Sequence, residues 1–185
     1  QIRSVIKKFH LLLSGCLAHD RLRREMVERT KIKEELNTSE EKLRKIIDTS
    51  LDAIVTIDEE GLITEWNKQA VKIFGYTQDE VIGKQMADFI VPPQYREAHH
   101  RGMKHFLKTG EGPVLNNRIE ITGLDKGGRE FPIELSISPI RLDDKFIFSA
   151  FIRDITDRKN AEADLIKAKH DAEQARLAEQ QFLAN

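Results

Sequence analysis

DAIVTIDEEGLITEWNKQAVKIFGY, residues Asp52 to Tyr76, decides the fold. Two short apolar segments, Ala53 to Ile57 and Leu62 to Trp66, flank an acidic turn at Glu59-Glu60-Gly61. Apolar runs joined by a short glycine-bearing turn predict a tight β-hairpin. Ala70, Val71 and Phe74 then recur at helical spacing until Gly75 stops the pattern, so the hairpin feeds directly into a short helix.

Downstream, Thr77 to Val81 reads as one helical turn opened by a threonine cap and ended by Gly83, and Met86 to Ile90 as another. Pro92 and Pro93 pre-set a longer helix running to about Thr109, with Gly110 and Gly112 as its stop. On that helix Tyr95, His99, Gly102, Met103 and Phe106 share one mostly apolar face, so His99 is expected to point inward. His100 is turned away from that face and His105 lies at its border.

Three strands are expected near Val114 to Ile121, Glu130 to Ser138 and Phe146 to Ile152, with turns at Lys126-Gly127-Gly128 and Leu142-Asp143-Asp144-Lys145. Leu115, Ile119 and Ile121 form the inward set of the first strand, and Phe131, Ile133, Leu135 and Ile137 that of the second. In the third, Phe146, Phe148, Ala150 and Ile152 make one face, yet Ile147 and Phe151 make the other apolar too. Both sides of the sheet then need cover, and the helix ending near Asp48, from this or a partner chain, is the available candidate.

Gln1 to about Asp48 holds no proline and is rich in helix formers, which predicts a long helix. Ile2, Val5, Phe9, Leu12 and Cys16 have coiled-coil spacing; a second seam of Ile32, Leu36, Ser39, Leu43 and Ile46 is out of phase with it. Either the register breaks between Arg21 and Thr30, or the Thr38–Glu41 capping box starts a separate helix, or one helix continues with a solvated charged face. From Asp157 a helical four-three alternation returns through Ala161, Leu165, Ala168, Ala172, Ala175, Glu179 and Phe182. Alanine seams pack weakly, which suits a connector that changes its packing.

Thirty Lys and Arg against 31 Asp and Glu leave a net charge of −1, which gives no reason to expect nucleic acid or an anionic membrane as partner. The single cysteine, Cys16, rules out an internal disulfide framework and a CxxC metal site, and fits a reducing compartment. No apolar run approaches the ~18 to 20 residues of a membrane span. The chain begins at Gln1 and stops inside a helical pattern, so it reads as a piece of a longer protein, one with room for a membrane anchor upstream.

The hairpin and helix, Thr77-Gln78-Asp79-Glu80-Val81-Ile82-Gly83, Gly127-Gly128-Arg129-Glu130-Phe131-Pro132-Ile133-Glu134-Leu135-Ser136 and Asp154-Ile155-Thr156 together resemble a PAS domain over Leu51 to Asp157. The resemblance implies an α+β fold, a five-stranded antiparallel sheet with short helices, flanked by long coiled-coil helices. The expected division is a leading signalling helix over residues 1–48, the PAS domain over 49–157 and a trailing signalling helix over 158–185. Phe182-Leu183-Ala184-Asn185, after Glu179-Gln180-Gln181, resembles the approach to the phospho-acceptor box of sensor histidine kinases. That implies a cytoplasmic sensory module, a homodimer through parallel helices, feeding histidine-kinase domains and a response regulator of a two-component phosphorelay. The run Asp154-Ile155-Thr156-Asp157-Arg158-Lys159 also resembles linkers of diguanylate cyclases, and a ligand-blind dimerisation module is a third reading.

No nucleophile, base and orienter assemble into an enzyme site, and no HExxH or P-loop is present. Flavin-adduct PAS domains use a core cysteine; with Cys16 on the leading helix, that chemistry is excluded. Haem-binding PAS kinases hold iron by a histidine on the long helix, and Tyr95-Arg96-Glu97-Ala98-His99 resembles that region with His99 as the ligand. Their oxygen-stabilising arginine falls here on Ile119, while Arg118 should face outward. The competing expectation is a buried histidine bonded to its neighbours, or one in an empty or small-molecule pocket. Candidate pocket residues are His99, Met103, Phe106, Ile119, Ile121, Leu135, Ile137 and Phe148. Asp154, Ile155 and Thr156 are expected to carry the signal from sheet to exit helix, a role the family resemblance implies and their short capping side chains suit.

Overall fold

A single helix, α1, spans Ile2–Asp48, as a proline-free stretch of helix formers dictates. The structure is a computed structural model describing residues 2–183, with the side chains of residues 2–22, 24–25, 178–179 and 182–183 outside what it describes. The side chains of the first expected seam, Ile2 to Cys16, and of Phe182 and Leu183 are therefore outside the description, as are Ala184 and Asn185 altogether. Two units divide the chain, residues 1–46 and 47–185.

In the first unit the Thr38 capping box does not form. Thr38 Oγ1 instead donates to the Glu34 carbonyl at 2.8 Å, and Thr30 Oγ1 to that of Met26 at 2.9 Å, as hydroxyls do inside an uninterrupted helix. The helix runs without interruption from Arg21 to Thr30. Ile32, Leu36, Leu43 and Ile46 are each 56 to 58% exposed.

In the second unit β1 (Ala53–Ile57) pairs antiparallel with β2 (Ile63–Trp66), Val55 facing Trp66. Asp58 organises the turn, its Oδ1 accepting from the backbone N–H groups of Glu60 at 3.1 Å and Leu62 at 2.8 Å. Gly61 has φ 83°, and a Cβ there would stand 3.0 Å from Gln85 Oε1, so the tight turn needs glycine. Asn67 caps α2 (Lys68–Phe74), which Gly75 ends in the left-handed region. Helix α3 (Gln78–Val81) opens on a capping box, the Glu80 carboxylate accepting from the Thr77 N–H at 2.9 Å. Helix α4 (Met86–Ile90) leads to α5 (Pro93–Thr109), which stops at Gly110.

β3 (Arg118–Leu124), β4 (Glu130–Leu142) and β5 (Lys145–Asp154) complete a five-stranded sheet in the order β2-β1-β5-β4-β3, antiparallel throughout. β3 starts later than expected because Asn116 takes φ 56° and Leu115 makes only an isolated parallel bridge with Ile137. β4 and β5 run longer than expected, up to a tight turn where Asp143 has φ 51°. Phe74, Phe106, Phe131, Phe148 and Ile152 centre the core on one sheet face, with the ring of Phe74 5.6 Å from Trp66 and 5.9 Å from Phe131. On the other face Phe151 is 44% exposed. Helix α6 spans Thr156–Leu183, starting slightly before the expected boundary at 158, with Leu165 and Ile166 exposed.

Candidate functional site

Helix α5 crosses the core face of the sheet and places the expected residues unequally. Phe106 is buried and sets its ring edge-on to both Phe146 and Phe148, each at 5.3 Å, a favoured aromatic geometry. Met103, one turn back, is half-buried against the core, as are Ile119 and Ile137, while Leu135 and Phe148 are buried within it. These six side chains meet in one cluster. Ile121 does not join them. It stands opposite buried Ile133 but is 42% exposed, because β3 is an edge strand with no element over that position. Tyr95, in the first turn of α5, is likewise exposed.

His99 is half-buried on the face that carries Met103 and Phe106, whereas His100 and His105 are exposed. His99 Nδ1 is buried without a hydrogen-bond partner among the described residues. Burial, followed by the nearby His100 ring at 5.9 Å, holds the imidazole below its ordinary value of 6.5. A neutral imidazole with a free buried nitrogen accepts a hydrogen bond or ligates a metal. The competing expectation, a histidine bonded to its neighbours, does not hold at this atom. Arg118 faces outward and pairs with Glu134 at 3.4 Å, leaving Ile119 on the core side. Among the described residues no cluster of three or more His, Cys, Asp or Glu is arranged for a metal ion.

At the other end of the unit, β5 meets α6. Asp154 Oδ1 accepts from the backbone N–H of Thr156 at 2.8 Å and from its hydroxyl at 2.5 Å. Ile155 between them is 3% exposed and donates its N–H to the Pro132 carbonyl at 3.1 Å. The next turn is held from β3: Glu120 takes Arg158 at 2.7 Å and Lys159 at 2.6 Å. Those contacts keep the Glu120 carboxyl below its usual range, Lys159 first and Arg158 second.

Sequence reasoning missed Asn67, Asp52 and Arg153. Asn67 is buried and uses its whole amide, and Asp52 pairs with Arg153 at 2.7 Å. The legible signal was an Asn directly before the helical period of Lys68 to Phe74, an N-cap position.

The unit is an α+β fold whose five-stranded antiparallel sheet carries a long helix over one face and a helix leaving the last strand. A family model described as a PAS domain matches residues 51–157, more than half of the chain, and the chain belongs to that family. It is 41% identical over 120 residues to an uncharacterized protein of Azorhizobium caulinodans, covering 65% of this chain and 16% of that one. It is 35% identical over 154 residues to the cell-division control histidine kinase PdhS of Brucella ovis, covering 82% of this chain and 14% of the kinase. The PAS domain of an HTR-like protein from Haloarcula marismortui shares the fold with a TM-score of 0.53 at 22% identity, over 68% of this chain and 99% of that domain. The chain thus spans roughly a sixth of the length of these two relatives. No helix among the described residues is long and apolar enough to cross a membrane.

Proposed function

We propose that this chain is the cytoplasmic sensory and dimerisation module of a sensor histidine kinase, in which the PAS core biases a pair of exit helices leading to the kinase domains. The observation that carries the reading is the junction. β5 ends at Asp154, α6 begins at Thr156, and one carboxylate oxygen holds both donors of Thr156 across the gap. A displacement of β5 therefore reaches α6 with no loop to absorb it. Likeness to PdhS across most of the chain supports a histidine-kinase parent. ATP-dependent phosphotransfer and the response-regulator contact belong, in this reading, to the remainder of that parent.

Dimerisation is supported by exposed apolar positions. Ile32, Leu36, Leu43 and Ile46 follow four-seven-three spacing, a coiled-coil seam, and all are exposed. A second copy in parallel covers them. The coupling is tested by Asp154→Ala combined with Thr156→Val in the parent kinase. Autophosphorylation should change several-fold while the 185-residue chain keeps its wild-type circular dichroism spectrum; an unchanged rate contradicts the reading.

A second reading concerns what the core senses, and His99 favours it. The free buried Nδ1 and the neutral imidazole fit a haem ligand, and the flanking Met103 is apolar. Bound haem would supply a gas-sensitive iron, which His99 would hold, with Met103 beside it as apolar lining. With Ile119 on the core side and Arg118 paired with Glu134, the position of the family's oxygen-stabilising arginine is apolar, which favours carbon monoxide or nitric oxide as signals. A core without ligand, filled by Phe106, Phe146 and Phe148, leaves the dimerisation role alone.

A further inference from the structure

We propose that Asn67, Asp52 and Arg153 form a polar relay that carries movement at the C-terminal turn of α1 to the first turn of α6 without passing through the core. The module would then transmit an input arriving from upstream, whatever the core binds.

The relay starts at Asn67, 3% exposed, whose side chain makes every hydrogen bond an amide can offer. Oδ1 accepts from the N–H groups of Ile54 at 3.0 Å and Ala70 at 2.9 Å, which fixes it to β1 and α2. Nδ2 donates to the carbonyls of Ile47 at 3.0 Å and Asp52 at 3.1 Å. Ile47 lies in the last turn of α1, where Asp48 also reaches Lys68 at 3.2 Å. One buried amide therefore ties the end of α1, the connecting segment and the sheet together.

Asp52 passes the connection on. Its carboxylate takes the Arg153 guanidinium at two points, Nε at 2.7 Å and Nη2 at 3.1 Å, a bidentate pair whose geometry fixes direction as well as distance. The backbone reinforces it, because Ala53 and Ile152, the next residues inward, are paired in the sheet. Arg153 is followed by Asp154, which caps Thr156. Glu120 grips Arg158 and Lys159 from β3, giving the first turn of α6 a second anchor. Motion of Arg153 against that anchor tilts the helix start. The chain of bonds runs through polar side chains at one end of the sheet, apart from the apolar cluster of Met103, Phe106 and Phe148.

Hydrogen exchange in the 185-residue chain tests this. Two amides report the two ends: Ser50, bonded to the Ile47 carbonyl, and Lys159, bonded to the Ile155 carbonyl. Arg153 is 56% exposed at its side chain, so Arg153→Gln should fold. Both Arg153→Gln and Asp52→Asn should speed exchange at Ser50 and Lys159 together, by roughly two- to fivefold for a partly exposed pair. The swap Asp52→Arg with Arg153→Asp should restore both rates. Asn67→Asp, which keeps the accepted bonds and loses the donated ones, should loosen the same two amides. His99→Leu should leave them unchanged, which separates the relay from ligand sensing. Loosening at Ser50 with wild-type exchange at Lys159 in Arg153→Gln would overturn the relay.

Discussion

Glu80 and Lys126, 46 positions apart in the chain, meet at 2.6 Å. The contact pins the turn between β3 and β4 onto α3, and the Lys126 N–H adds a bond to the Phe74 carbonyl at 2.9 Å. Lys126, and after it the Thr77 N–H, hold the Glu80 carboxyl down from 4.5 to about 2. A depressed carboxylate stabilises the fold fully above its unfolded value and loses that contribution as pH falls through the folded one. The thermal midpoint of the wild type should exceed that of Glu80→Gln above pH 4.5, and the two should converge as pH drops toward about 2. Salt should shrink the gap, since both groups are partly exposed. A pH-independent gap would show that the ion pair does not supply it.

His99 acts in the same direction, at higher pH. Its folded value lies below 6.5, so below that pH the unfolded chain binds more protons at this site and acid favours unfolding. His99→Leu should remove part of the loss of stability that the wild type suffers as pH falls below 6.5, measured by denaturant midpoints. If hemin reconstitution yields a Soret band, His99→Ala should lose or displace it and His100→Ala retain it. Equal loss in both would place the ligand elsewhere, and no band in the wild type removes haem from the account.

The exposed seam of α1 makes a prediction about assembly. Leu36→Glu with Leu43→Glu places charges where two apolar stripes should meet, at a cost of about 1.5 to 3 kcal/mol per buried leucine side chain. Light scattering should show a shift from dimer to monomer. An unchanged dimer would move the interface off this seam.

Much of the fold was legible because local rules coincide with tertiary ones. Gly75 and Gly110 end α2 and α5 where the sequence places them, and the proline pair opens α5. The exceptions have physical causes. Thr38 satisfies a capping pattern, yet a hydroxyl inside a helix has an equally near partner in the Glu34 carbonyl. Periodicity puts Ile121 and Tyr95 on the inward faces but says nothing of what lies opposite; Ile121, across from buried Ile133, is 42% exposed and Tyr95 52%. Asn67 is hard to recognise because its four partners are backbone groups in α1, the connecting segment, β1 and α2, which no local window contains.

Helix phase in α6 separates rotation from simple tethering most directly. If the core and the polar junction at Asp154 and Thr156 act by rotating paired exit helices, heptad register after Ala161 carries the signal. Autophosphorylation of the parent kinase should therefore be measured with four or with seven residues deleted between Ala161 and Ala178. The four-residue deletion should invert or lock activity, and the seven-residue deletion, which keeps the heptad phase, should leave regulation largely intact. If both deletions behave alike, α6 is a tether and the helix-rotation account is contradicted.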